Sequence, residues 1–201
     1  MLFRSTGIEK SRMKTRILIL GIAPCLEEDI ALIEDPEDWD KMAIGVDCSD
    51  RVLFDIVGAA TYHFQEFEQF RIRRQRAGGN LDYVTHSHKM FKGVDMVWPL
   101  VAPSPDSGSS SFLGTQAAVE LGYKKIILCG CPMIGPPQTG KKEPYDRFQS
   151  GWIKYAKPMF GDKVKSMSGW TRDFLGYPTP EWLEKQLRAS PPTLITSLRP
   201  A

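Results

Sequence analysis

The stretch Arg16-Ile-Leu-Ile-Leu-Gly21 decides the fold of this chain. Its aliphatic residues are consecutive rather than alternating, which predicts a strand buried on both faces, as in the centre of a parallel sheet. Residues 22–25 then form a turn. Residues 26–33 have helical spacing and three acidic residues in the first turn, where negative charge favours a helix N-terminus. The result is a strand–turn–helix unit.

The same unit recurs along the rest of the chain. One further helix carries an aromatic stripe, Phe64, Phe67 and Phe70, which we expect to pack on the sheet. Strands that alternate with helices predict an α/β, Rossmann-like fold with a mostly parallel sheet and helices on both faces. The further strands are predicted over residues 41–46, 52–60, 81–85, 94–101, 124–130 and 164–167, and the further helices over residues 64–77, 112–122, 145–158 and 178–188.

Length and composition are typical of one globular domain. The chain has 201 residues, of which 42% are hydrophobic and 25% charged. We predict a single domain over residues 1–201, with residues 1–15 as a loose lead-in, residues 132–144 as a flap loop and residues 190–201 as an irregular tail. The net charge is only +2, so binding of nucleic acid is not favoured.

Apolar runs and cysteines indicate the compartment. The longest apolar runs, residues 17–24 and 126–133, are too short to cross a bilayer. The first run is preceded by polar and basic residues and lacks a cleavage site, so we expect no signal peptide and no membrane partner. We predict a cytoplasmic protein whose cysteines are reduced, buried and not spaced for zinc. These are Cys25, Cys48, Cys129 and Cys131.

The turn after the first strand, Gly21-Ile-Ala-Pro-Cys25, is the first candidate binding element. Ligands bind open α/β sheets beyond the carboxyl ends of the strands, where this turn lies. Small residues allow a ligand to approach the backbone, and the following helix offers free N–H groups to an anion. We predict ligand binding by Gly21, Ala23 and Pro24. The turn lacks the G-x-G-x-x-G pattern, so an ordinary tight turn is the alternative.

The second candidate is the segment Asp106-Ser-Gly-Ser-Ser-Ser111, directly before a predicted helix. Its amides and hydroxyls can converge on a phosphate or carboxylate, although serine is also a common helix cap. Asp47, at the end of the second strand, can accept hydrogen bonds from ribose hydroxyls, or it can serve as a cap or solvated acid. In the serine-rich segment we predict ligand binding by Asp106, Ser107, Gly108, Ser109 and Ser110.

The two candidate elements together resemble a known superfamily. The sequences concerned are Ile-Leu-Ile-Leu-Gly-Ile-Ala-Pro-Cys at residues 17–25 and Asp-Ser-Gly-Ser-Ser-Ser-Phe-Leu-Gly-Thr-Gln-Ala-Ala-Val-Glu-Leu-Gly-Tyr-Lys-Lys-Ile-Ile-Leu-Cys-Gly-Cys at residues 106–131. They resemble Rossmann-like proteins that include 6-hydroxymethylpterin diphosphokinases, motility accessory factors and bacterial sialyltransferases, with uncharacterised phage and prophage members. The resemblance implies nucleotide binding and group transfer.

This chain departs from that superfamily at several positions. Ala23 and Cys25 stand where the family has glycine and serine. The sialyltransferases have a histidine general base downstream of the strand that corresponds to residues 126–130, whereas this chain has no histidine after His88. We therefore do not expect sialyl transfer by that mechanism.

The three histidines, His63, His86 and His88, all follow predicted strand ends. Imidazole titrates near neutral pH and suits general acid–base chemistry, so we predict a catalytic role for His86 or His63. Two alternatives remain open. The histidines can be simple polar contacts, or His86 and His88 can face one way and hold a metal ion.

Basic residues cluster in two further places. Arg71, Arg73, Arg74 and Arg76 crowd the end of the aromatic helix, where cations favour the helix C-terminus, so we predict a solvated face. Contact with polyphosphate or nucleic acid is the alternative. Lys141 and Lys142, in the predicted flap, can fold over a phosphate.

The sequence thus predicts a transferase-like protein that binds a nucleoside phosphate or a nucleotide-sugar. Glycosyl transfer and phosphoryl transfer are both open, and phosphoryl transfer would need Mg²⁺. The alternative is a non-catalytic nucleotide-binding or sequestering protein of phage origin. The oligomeric state, a homo-oligomer included, is left open.

Overall fold

A computed structural model describes residues 15–52, 54–102, 109–134 and 145–185. The strands in this part of the chain are β1 (Arg16–Leu20), β2 (Asp40–Ile44), β3 (Gly58–Ala60), β4 (Val84–Ser87), β5 (Met96–Val97), β6 (Lys125–Cys129) and β7 (Val164–Ser166). They form one sheet in the order β5-β4-β3-β2-β1-β6-β7, in which every adjacent pair is parallel. The sheet confirms the predicted Rossmann-like α/β fold.

Helices connect the strands and cover both faces of the sheet. They are α1 (Leu26–Ala31), α2 (Phe67–Arg76), α3 (Ser110–Glu120), α4 (Tyr145–Phe160), α5 (Gly169–Leu175) and α6 (Pro180–Lys185), with short 3₁₀ turns at Pro36–Asp38, Val46–Cys48 and Phe64–Glu66. Helix α5 has no counterpart among the predicted elements. No helix in the described ranges is long and apolar enough to span a membrane.

Strand β1 supplies side chains to two hydrophobic cores. Ile17 and Ile19 belong to a core with residues of α3 and α4, while Leu18 and Leu20 belong to a second core with residues of α1, α2 and α6. All four side chains are fully buried, which confirms the predicted burial on both faces. Burial of each contributes about 1.5–3 kcal/mol relative to exposure.

Strand β3 is shorter than predicted, because polar side chains hold the residues before it. Arg74 donates hydrogen bonds to the carbonyl oxygens of Val52 and Phe54, and Asn80 bonds both the amide and the carbonyl of Ile56. These backbone groups are therefore not free to form a continuous strand over residues 52–60. Arg74 is completely buried, so the predicted solvated face of α2 is wrong at this position.

Strand β5 is also shorter than the predicted run over residues 94–101. Asp95 Oδ2 accepts a hydrogen bond from the Thr85 amide, and the Thr85 hydroxyl lies 2.7 Å from both the Asp95 carboxylate and the Gly93 carbonyl oxygen. Pro99 follows closely and cannot donate a hydrogen bond to a neighbouring strand. Met96 and Val97 are in register with β4, and the flanking amides of Asp95 and Trp98 donate to the carbonyl oxygens of Thr85 and Ser87.

The aromatic stripe packs largely as predicted. Phe67 and Phe70 of α2 are buried in the second core, and Phe64, in the preceding 3₁₀ turn, packs partly against it. The predicted lead-in before residue 15, the flap from residue 135 to 144 and the tail from residue 190 lie outside the described residues.

Candidate functional site

The strand order reverses between β1 and β6, the position where open α/β sheets commonly bind ligands. Here the turns after the two strands are bonded to each other. Gly21 donates to the Cys129 carbonyl at 2.8 Å, and Ala23 donates to the Gly130 carbonyl at 3.1 Å. A Cβ atom on Gly21 would lie 2.2 Å from the Gly130 carbonyl oxygen. No ligand fits between Gly21 and Gly130, while Pro24 is exposed on the outer side of the turn.

The carboxylate of Asp29 links the turns at this crossing by hydrogen bonds. Its Oδ2 atom accepts hydrogen bonds from the Gly130 amide and from the Ser168 hydroxyl, each at 2.8 Å, and the Ser168 hydroxyl also lies 3.3 Å from Cys25 Sγ. The turns after β1, β6 and β7 are thereby joined at one carboxylate. The sequence indicated Asp29 only as a first-turn acid of α1, because nothing local marks its distant partners.

The cysteines near this crossing are free thiols, and three of them, Cys48, Cys129 and Cys131, are buried. Burial raises the pKa of Cys48 to about 12, and burial likewise raises the pKa of Cys129 and Cys131. The Cys48 thiol also donates to the Leu20 carbonyl. These thiols remain protonated at neutral pH and pack as small apolar groups.

The second candidate element meets the turn after β3 rather than the turn after β1. Ser109 is the N-cap residue of α3, and Ser110 is the first residue of the helix. The Ser110 hydroxyl accepts a hydrogen bond from the Tyr62 amide at 3.2 Å. In the part of the chain that the structure describes, no hydrogen bond joins the Gly21 turn to Ser109 or Ser110. Asp106, Ser107 and Gly108 lie outside the described residues.

The Ser109 side chain does not cap α3. Its hydroxyl lies 2.6 Å from the hydroxyl of Ser111 and bonds no amide of the first turn. The first amides of a helix carry partial positive charge and need acceptors. Because α3 has eleven residues and begins at the carboxyl edge of the sheet, its N-terminus favours an anion there.

Two histidines lie beside this helix end. The ring of His88 makes edge contacts with the rings of Tyr62 and Phe64, at centroid distances of 5.4 and 5.7 Å. His63 is exposed, and its amide donates to the Thr61 hydroxyl. We call Tyr62, His63, Phe64, His88 and Ser110 the β3–α3 cluster.

His86 lies inside the fold, away from solvent. Its side chain is 1% exposed, and its Nδ1 accepts a hydrogen bond from Trp98 Nε1 at 3.1 Å. Burial lowers the pKa of His86 to about 4, against a weaker opposing effect of Asp95. An imidazole with this pKa is neutral and a weak base at pH 7, so the environment favours a structural role.

Asp47 lies in the 3₁₀ turn after β2 and forms a 3.0 Å ion pair with Arg73 of α2. Close to it is a shallow depression with a mainly apolar lining that has no enclosed space for a ligand. It is lined by Gly45, Val46, Ala59, Ala60, Thr61, Glu66, Phe67 and Phe70.

The structure therefore brings together only part of the predicted site. Ser109, Ser110 and His63 lie near one another around Tyr62, while Gly21 and Ala23 lie at the β1–β6 crossing and Asp47 is paired with α2. The sequence did not indicate Tyr62, because its contribution includes a backbone amide, which every residue except proline carries. Within the described ranges, no group of three or more His, Cys, Asp or Glu side chains is placed to hold a metal ion.

Comparison of the chain with protein-family models, with curated proteins and with solved structures finds no match.

Proposed function

We propose that this protein binds a nucleoside phosphate or a nucleotide-sugar at the carboxyl edge of its sheet, with a phosphate group at the N-terminus of α3. The observation that carries this proposal is the start of α3. Its Ser109 hydroxyl leaves the first amides uncapped, and the neighbouring Ser110 hydroxyl contacts the turn after β3. Helix amides and serine hydroxyls are common phosphate ligands.

The proposed activity is transferase-like, either glycosyl or phosphoryl transfer. The α3 amides would stabilise the charge that develops on a departing phosphate. His63 is exposed in the β3–α3 cluster and would take the proton of the acceptor. Phosphoryl transfer from ATP would in addition require Mg²⁺.

The environment of His86 favours a second candidate function, a non-catalytic nucleotide-binding protein. With His86 buried and neutral, His63 is left as the better-placed base of the two predicted ones. Product formation from a nucleotide-sugar or from ATP, lost in His63→Ala, would support the transferase. Tight binding without turnover would support the binding protein.

Isothermal titration with CMP, UDP-sugars and ATP tests the binding proposal. Ser109→Asp places a carboxylate at the N-cap, where it stabilises the helix but repels a phosphate. Ser109→Asn, a neutral cap of nearly the same size, is the matched control. We expect at least one nucleotide to bind, with affinity about tenfold or more weaker in the Asp variant and within about threefold in the Asn variant. Absence of binding by all three ligands, or equal binding by the two variants, would contradict the proposal.

A further inference from the structure

His88 carries a buried nitrogen without a hydrogen-bond partner. It directly follows β4, and its Nδ1 atom is one of three buried side-chain polar atoms in the described residues that have no partner. The other two belong to Ser49 and Trp152, which are themselves fully buried. The side chain of His88, by contrast, is only half-buried, and its second nitrogen, Nε2, is not among the buried unpaired atoms.

This asymmetry selects one protonation state. A proton on Nδ1 would be an N–H group without an acceptor, which is more costly than a bare lone pair at the same place. The neutral tautomer with its proton on Nε2 is therefore favoured, and the doubly protonated imidazolium is disfavoured. Burial, Lys89 and His63 all lower the pKa of His88, in that order of effect.

The neighbours of His88 connect the ring to the start of α3 through Tyr62. Tyr62 and Phe64 contact the imidazole through ring edges, and Phe64 in turn contacts Phe91 at a centroid distance of 4.9 Å. The Tyr62 amide bonds Ser110, so one residue touches both the imidazole and the helix end. The titratable or charged groups around the ring are the Tyr62 phenol, His63 and Lys89.

We propose that His88 is a binding residue of the β3–α3 cluster: a neutral imidazole whose Nε2–H donates a hydrogen bond to a phosphate oxygen of the ligand. This inference rests on the proposed function and adds to it a residue, an atom and a protonation state. The contacts with Tyr62 and Phe64 restrict the rotation of the imidazole ring before the ligand binds.

Titration calorimetry with the best-binding nucleotide, from pH 5.5 to 8, tests the inference. His88→Ala removes the donor, and His88→Gln keeps an N–H group close to the position of Nε2 without a titratable proton. We expect about tenfold weaker binding in the Ala variant and binding within about threefold of the original protein in the Gln variant. Circular dichroism of each variant checks that the fold is retained.

The pH dependence separates the two protonation states. A neutral donor contributes no pH dependence, so the original protein and His88→Gln should show parallel affinity profiles, because the ligand phosphate is common to both measurements. Affinity that rises below pH 6.5 only in the original protein would show an imidazolium and overturn the inference. If His88→Ala binds the nucleotide as tightly as the original protein does, the inference is also overturned. If the original protein binds no nucleotide, the proposed function itself is rejected.

Discussion

Arg73 and Arg74 are adjacent in the sequence and have opposite surroundings. Arg73 forms an exposed ion pair with Asp47, whereas Arg74 is fully buried and donates to the carbonyl oxygens of Val52, Phe54 and Asn80. Exposed pairs contribute little to stability, while a buried guanidinium is the donor to several backbone carbonyl groups. The same residue type therefore has different effects at successive positions.

We expect Arg74→Ala to lower the free energy of unfolding by about 3 kcal/mol, because it leaves the buried Val52 carbonyl and the carbonyl oxygens of Phe54 and Asn80 without their donor. Arg73→Ala is the control and should change it by less than about 1 kcal/mol. Urea denaturation followed by circular dichroism gives both values. Similar losses in the two variants would contradict the assigned roles.

His86 makes stability depend on pH. Its pKa is about 4 in the folded protein, against about 6.5 in an unfolded chain. Between these values the unfolded chain takes up a proton that the folded protein does not, so stability falls as the pH is lowered from 6.5 to 4. The predicted contribution is about 3 kcal/mol.

His86→Asn should be less sensitive to acid, since the asparagine oxygen can accept the Trp98 hydrogen bond and does not titrate in this range. The difference in unfolding free energy between the two proteins, measured at pH 7 and again at pH 4.5, isolates this contribution from the carboxyl groups that both proteins share. A difference that is the same at both pH values would contradict the prediction.

At the scale of elements, Asp29 joins α1 to the turns after β6 and β7. Asp29→Ala would leave the Gly130 amide and the Ser168 hydroxyl without their acceptor, and we expect a loss of about 2–3 kcal/mol in the free energy of unfolding. Asp29→Asn retains one side-chain oxygen and should lose less. Chemical denaturation measures both, with the exposed neighbour Glu28→Gln as a control that should change little. Equal stability of the Ala variant and this control would show that the contacts are unimportant.

The elements that sequence analysis predicted best are those whose own residues determine them. β1 and β6 are apolar runs buried on both sides, and their burial follows from the runs themselves. β3 was overestimated because Arg74, which is distant in the sequence, bonds the backbone there, and β5 was overestimated because Pro99 follows it. The candidate site was predicted in part for the same reason: the serines before α3 are a local signal, whereas the partners of Tyr62 depend on how the chain folds.

At the scale of the whole molecule, we expect the protection of backbone amides against hydrogen exchange to decrease from the middle of the sheet to its edge. β1 and β6 are each paired on both sides, whereas β5 has two residues and one neighbour. Exchange of central amides requires global unfolding, while edge amides exchange through local opening. We expect peptides from β1 and β6 to exchange at least about 100-fold more slowly than the β5 peptide in hydrogen-exchange mass spectrometry. Uniform rates across the sheet would contradict this.

The strand order also has a consequence for synthesis on the ribosome. β1 pairs with β2 on one side, but its other neighbour, β6, is encoded more than 100 residues later. At a synthesis rate of about 5–20 residues per second, one edge of the apolar strand β1 stays unpaired in the nascent chain for about 5–20 s. During this interval the emerging polypeptide is open to mispairing with another copy, so a chaperone that shields residues 16–20 should raise the yield of native protein.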